Sequence, residues 1–270
     1  MAVLVAGFAL ASIGCAATDG AGSVGAGGSD ATAAVGDAEV PATSGAEGER
    51  RSVVLFTRTE GFRHDSIAVA APVLTAELAE RGFEVTTTEE PGTFTAEALA
   101  AVDVVVFLGT TGDVLDPPQE AALQQFVEGG GGWVGVHSAL DTEYDWPFYE
   151  TLAGAYFLAH PAVQSATVRR EDPEHPAMAG VPDAWSRTDE WYDLRANPRP
   201  EVHVLATVAE DTYDDGQMGT DHPIAWCHAV GAGQSFVTAM GHTDESWREP
   251  LFVDHVAAGI VSVTEPGHCG

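Results

Sequence analysis

Residues 102–139, VDVVVFLGTTGDVLDPPQEAALQQFVEGGGGWVGVHSA, read as strand, helix and strand in succession. VDVVVFLG (102–109) is a continuous apolar, β-branched run without polar alternation, the pattern of a strand buried on both faces. PPQEAALQQFVEGG (117–130) begins on proline and ends on glycine, as helices do. GWVGVH (132–137) is again a short apolar run. Two buried strands joined by a crossover helix predict a parallel sheet.

The upstream sequence repeats this unit. SVVLFT (52–57) reads as a first strand, and SIAVAAPVLTAELAERG (66–82) as a helix with Ser66 near its N-cap and Gly82 past its end. FEVTTTEE (83–90) reads as a second strand and FTAEALAA (94–101) as a short helix or turn. The alternation argues for an α/β fold with a doubly wound, mostly parallel sheet. Beyond Tyr144 the pattern loosens. Residues 162–171, 201–208, 224–230 and 234–241 read as strands, the last two joined through GAG, and 249–263 as a packing helix.

In such sheets ligands bind just beyond the carboxyl ends of the strands. Three histidines fall there: His64 after the first strand, His137 at the end of GWVGVH, and His242 at the end of SFVTAMGH. His64 also precedes a helix, whose free N–H groups and positive dipole end suit an anionic or carbonyl oxygen. The competing reading of this turn is that Asp65 and Ser66 cap the helix while His64 stands in solvent. GVHSA resembles a strand-to-helix elbow in which a nucleophile sits on a sharp turn. With His at the elbow, a base or metal ligand replaces the nucleophile; a core histidine bonded to a backbone carbonyl is the competing reading. His160 in GAYFLAHPAV and Glu190 in RTDEWYDL lie where little regular structure is evident. Beside Trp191 and Tyr192, desolvation would raise the Glu190 pKa and make it a proton donor, or Glu190 would orient an imidazole. Asp189 is the less favoured neighbour, and His222 is the histidine most easily misassigned.

The chain carries 11 basic and 41 acidic side chains, for a net charge of −30, and every basic residue is arginine. Such a surface repels phosphate backbones and excludes nucleic acid as a partner. The absence of lysine excludes a Schiff base and a Walker-type phosphate loop. MAVLVAGFALASIGC (1–15) is too short to span a bilayer as a mature helix and reads as an export signal. SIGC resembles a lipoprotein cleavage box with Cys15 as the lipidated residue, although no basic residue precedes the apolar run and Ser12 stands where Leu is usual. Residues 16–50, nearly all small and polar, read as a disordered tether. They leave 51–265 for the α/β domain and 266–270 for a tail, so a membrane is reached only through a lipid anchor. Cys227 and Cys269 would bridge in an oxidising compartment or stay unrelated thiols; spacing does not decide.

Together FRHDS (62–66), GVHSA (135–139), the aromatic segment ending in His160 and Pro161, DEWY (189–192), HPIAW (222–226) and FVTAMGH (236–242) resemble the ThuA-like family, named for trehalose utilisation, over residues 52–263. The resemblance implies a flavodoxin-like fold related to class I glutamine amidotransferases, with the nucleophile replaced by His137. It places the family's site on His64, His137, His160, Glu190 and His242, and implies a part in sugar or oxidised-sugar metabolism. Ala232 and Gln234 depart from the family's usual Gly-Lys-Gly-Arg run, which would remove a contact for an anionic substrate.

The expected function is an exported enzyme acting on a small-molecule carbohydrate by His/Glu acid–base chemistry, a hydrolase, lyase or isomerase. The alternative is a non-catalytic carbohydrate-binding lipoprotein. Ser138 as an acyl nucleophile ranks last, one place past the elbow. No HExxH or other paired ligand spacing is present, so the chemistry is expected to run without a metal. If a divalent ion such as zinc is held, its ligands would be His64, His137 and His242, with Glu190 as acid or base.

Overall fold

The order of secondary structure follows the expected alternation through the first half of the chain. In this computed structural model, residues 51–265 and 267–269 are described; the leader with Cys15 and the 16–50 tether lie outside them. β1 (Arg51–Phe56) leads through a loop into α1 (Ile67–Glu80), and Gly82 at φ +88° turns the chain into β2 (Phe83–Thr88). α2 (Ala96–Leu99) is capped by Thr95 Oγ1, which accepts the Ala98 N–H. β3 (Val104–Leu108) and β4 (Gly132–Val136), both buried throughout, flank α3 (Pro117–Glu128). α3 starts at a reciprocal capping box between Asp116 and Gln119, which satisfies two otherwise orphaned N–H groups.

The second half adds α4 (Pro147–Ala153), β5 (Phe157–Ala159), β6 (Gln164–Arg170), β7 (Ala184–Asp189), β8 (Asp193–Leu194), β9 (His203–Ala209), β10 (Pro223–Val230), β11 (Gly233–Thr238) and α5 (Pro250–Ser262). Nine strands form one sheet in the order β2-β1-β3-β4-β11-β10-β9-β6-β7, while β5 and β8 form a small separate ladder. From β2 to β11 every ladder is parallel, and with β11 as fifth strand this is the flavodoxin-like order. From β11 to β7 every ladder is antiparallel, so only β10 and β6 run against the rest. β7 therefore ends at the same edge of the sheet as β1, β4 and β11.

Four ladders of about 4.8 Å would hold β7 roughly 19 Å from β11 in a flat sheet. Yet Asp189, the last residue of β7, accepts N–H groups from Gly241 and His242 just beyond β11. The antiparallel half thus curls toward the loop beyond β11, in the sense of ordinary sheet twist, and the two meet at Asp189.

Helices cover both faces of the parallel half. Phe56, Phe107 and Trp133 pack with Phe94 and Tyr149 on one face. On the other, Phe236 meets α5, where a methyl at Gly259 would overlap its ring. The Cys227–Cys269 disulfide, with Cα atoms 5.3 Å apart, pins the tail to β10. The six tryptophans are all buried, which leaves none as an open face for a sugar ring.

The structure corrects several expectations. α4, β5, β7 and β8 lie where little regular structure was expected. β7 escapes a hydrophobic pattern because its inward residues are Trp185, Arg187 and Asp189. β11 stops at Thr238, so His242 lies in a loop beyond the strand rather than at its end. Gln234 is at the opposite, amino end of β11, where it donates to the Glu265 carbonyl. The departure from the family's basic run therefore cannot touch a ligand at the carboxyl edge.

Candidate active site: an imidazole and carboxylate cluster

Each cluster residue is placed by the end of a strand. After β1 the chain turns so that His64 is 6 % exposed, which rules out the solvent-facing reading. Ser66 does not cap α1; its hydroxyl points to the Gly241 carbonyl at 3.4 Å. After β4, His137 takes φ +54°, the strained backbone expected of an elbow, and is 2 % exposed. After β11, Gly241 takes φ +116°, a conformation reserved to glycine, and so delivers His242 to the cluster. Both Trp247 Nε1–H and Ser66 Oγ–H donate to its carbonyl.

His64, His137, Glu190 and His242 then meet, with one ligand-type atom of each within 4.8 Å of the others. His137 Nε2 is 3.2 Å from His64 Nε2 and 3.2 Å from His242 Nδ1. Glu190 Oε2 is 3.0 Å from His242 Nδ1 and 3.6 Å from His137 Nε2, while Oε1 is 3.0 Å from His160 Nδ1. All five sequence-predicted residues are therefore brought together, with half-exposed His160 at the rim.

Around them, hydrogen bonds set tautomers. His137 Nδ1–H donates to the Ala239 carbonyl at 2.9 Å, so Nε2 faces the centre, as a lone pair in the neutral ring and as a donor toward Glu190 in the charged one. Ser138 Oγ is 3.2 Å from His64 Nδ1 and fully buried, so it orients an imidazole and is in no position to attack a substrate. The Tyr192 ring lies against His137 at 4.5 Å. His222 is structural: Nδ1 meets Glu210 and Tyr213, and Nε2 meets the Tyr192 carbonyl, which holds that ring in place.

Electrostatics separate the roles. Burial, with His137 and His242 nearby, lowers the His64 pKa to about 3, so this ring is neutral. Burial pushes the Glu190 carboxyl up, but contacts from His137 and His242 outweigh it and hold Glu190 below the usual carboxylate range. This reverses the proton-donor expectation: Glu190 is an anion. The hydrogen bond from His242 to Glu190, working against burial, raises the His242 pKa. Asp189, passed over in the sequence, is the buried anchor of the site. It accepts from Gly241 N–H at 2.9 Å and His242 N–H at 3.0 Å, and pairs with Arg187 at 3.0 Å.

Phe62 was also missed. It is 68 % exposed, with its ring 4.8 Å from His64 in an edge-on arrangement. An exposed aromatic two residues before a site histidine was the available signal. A separate hollow of about 490 Å³ lined by Glu150, Asn197, Glu201 and His228 shares no residue with the cluster.

The sequence model of the ThuA family, described as trehalose utilisation, matches residues 52–261. Among solved structures, a ThuA-like protein from Bacteroides uniformis superposes with a TM-score of 0.67 at 24 % identity, over 82 % of this chain and 95 % of that one. A ThuA-like protein from Parabacteroides merdae gives 0.65 at 18 % identity, over 80 % and 90 %. Among curated proteins none matches significantly.

Proposed function

The chain belongs to the ThuA family of trehalose utilisation, and we propose on that footing that it is an exported enzyme acting on a sugar or keto-sugar by proton transfer at the His–Glu cluster. The observation that carries the reading is the position of Glu190: an anion in contact with His242 and His160, the two imidazoles nearest solvent.

Such a carboxylate makes its imidazole partner the base: His242, its pKa raised by Glu190, takes a proton from carbon next to a carbonyl. In that step the C–H bond breaks, its proton passes to His242, and Glu190 balances the new charge. The electron pair moves onto the carbonyl oxygen as an enolate, which takes a hydrogen bond or proton from His160. Return of the proton to the neighbouring carbon isomerises the sugar; loss of a substituent there eliminates it. His64 and His137, buried at one side of the centre, keep water out and fix the geometry.

Export is supported by the apolar leader ending in Cys15, the 16–50 tether and the Cys227–Cys269 bridge, which suits an oxidising compartment. On this reading Cys15 carries the lipid anchor.

Trehalose and its keto derivatives incubated in D2O with the protein test the proposal by NMR. Deuterium uptake or product formation is expected, reduced about 100-fold or more in Glu190→Gln and in His137→Ala. A sugar that binds tightly with neither exchange nor turnover would replace the enzyme with a carbohydrate-binding lipoprotein.

A further inference from the structure

We propose that His64, His137 and His242 form a binding site for one divalent first-row transition ion, zinc foremost, with Glu190 standing at the fourth direction beside it. Bonds of about 2.0–2.1 Å from a tetrahedral zinc put its ligand nitrogens about 3.3–3.4 Å apart. Two of the nitrogen pairs here stand at 3.2 Å. The rings give a second, independent measure. Three imidazoles on one tetrahedral ion place their ring centres about 5.2 Å from each other, in planes turned well away from parallel. The centroids are 4.7, 5.0 and 5.2 Å apart, at interplanar angles of 83°, 87° and 74°.

The surroundings are those of a ligand set. His137 donates its other ring N–H to a carbonyl, the arrangement that fixes the tautomer of metal-bound histidines and raises their basicity. Ser138 Oγ, 3.2 Å from His64 Nδ1, accepts the hydrogen bond of that N–H in the tautomer that leaves Nε2 free to ligate. His242 is held through its backbone N–H by Asp189. Glu190, anchored by His160 on its other oxygen, offsets the charge of the ion. Because His64 and His137 are buried while His242 is partly open, an ion enters from the His242 side.

The sequence conceals such a site because its ligands come from the segments that follow three different strands, separated by 73 and 105 residues, instead of from one helix turn. Without an ion the same contacts would be hydrogen bonds, His64 Nε2–H to His137 Nε2 and His242 Nδ1–H to Glu190, and the experiment separates the two states.

The untagged full-length chain, stripped with chelator, is titrated with cobalt(II) and followed in the visible spectrum, then back-titrated with zinc. The expected result is a ligand-field spectrum that saturates at one equivalent and is displaced by one equivalent of zinc. His64→Ala and His242→Ala, each shown folded by circular dichroism, are expected to weaken zinc at least about 100-fold. His203→Ala, a half-exposed histidine on Asp172, should leave it unchanged. No saturable cobalt spectrum, or affinity unchanged in both folded site variants, would overturn the proposal. Ion binding is read without substrate, so its outcome is independent of the sugar reading.

Discussion

Asp189 accepts the backbone N–H of His242 at 3.0 Å, and through this bond the last strand of the antiparallel half holds the loop that completes the cluster. The same carboxylate, wholly buried, receives Gly241 N–H, Ser246 Oγ–H and Arg187. Arg187 in turn lies between the Trp185 and Phe252 rings, 4.5 and 4.2 Å from their centres. One buried ion pair therefore joins β7, the 239–246 loop and the start of α5.

Removing one member of a buried pair costs about 3–5 kcal/mol, and Glu249, 3.6 Å from Arg187, would balance the remaining charge only in part. Asp189→Ala is expected to lose stability of that order in urea unfolding. Asp189→Asn, which keeps one acceptor oxygen, should lose less. Equal stability of Asp189→Ala and wild type would show that the coiled half docks without this anchor.

Glu143 links the 112–115 turn to the elbow. Its Oε1 accepts the Val114 and Leu115 N–H groups, both at 2.8 Å, and its side chain is buried. Burial raises its pKa to about 8 in spite of those two donors. The unfolded value is near 4.3, so the folded state binds the proton more tightly. The contribution to stability is therefore complete below about pH 4 and declines as pH rises toward 8. Glu143→Gln should flatten that decline: the melting temperature of the wild type relative to the variant falls between pH 5 and 8. A difference that rises or stays constant over this range would contradict the shifted carboxyl.

The Cys227–Cys269 bridge closes a loop of 42 residues in sequence separation. Such a cross-link stabilises by roughly 2–4 kcal/mol, chiefly by restricting the unfolded chain. Cys269→Ser should lower the melting temperature, and reductant should lower that of the wild type to the same value while leaving the variant unmoved. An effect of reductant on the variant as well would mean that another cause is at work.

How much of this was legible depended on which side chains carried the pattern. β1, β3 and β4 were readable because Val, Leu and Phe fill both faces of a parallel strand, and the three histidines beyond β1, β4 and β11 followed from the rule for strand ends. β7 was not, because its buried positions are Trp185, Arg187 and Asp189, and an arginine–aspartate pair reads as surface until its partners are known. That same strand fixes Glu190, so the family resemblance pointed to the residue while the physical reason for its place stayed hidden. The sign of the Glu190 shift was out of reach for a like reason: tryptophan and tyrosine are its neighbours in sequence, but His137 and His242 are its neighbours in space. Ser138 reads as a nucleophile one place out of register and proves to be the partner of a ring 74 residues away.

Phe62 gives the test most specific to a sugar. Among the described residues it is the most exposed of the large apolar side chains, and its ring stands edge-on to His64 at 4.8 Å. Its carbonyl accepts Thr111 Oγ1–H at 2.8 Å, so the backbone that presents the ring is held rather than loose. The buried tryptophans cannot offer a face to a ligand, so on the proposed sugar reading this phenyl would cover the C–H side of a pyranose at the mouth of the cluster. An aromatic contact of this kind contributes about 1 kcal/mol, so Phe62→Ala should raise KM or the dissociation constant about five-fold. Phe62→Trp should restore it. A ring that touches the sugar equally before and during proton transfer would leave kcat within about two-fold, the signature of uniform binding. An unchanged KM in Phe62→Ala, or a loss confined to kcat, would remove Phe62 from the sugar's path and place the binding face elsewhere on the rim.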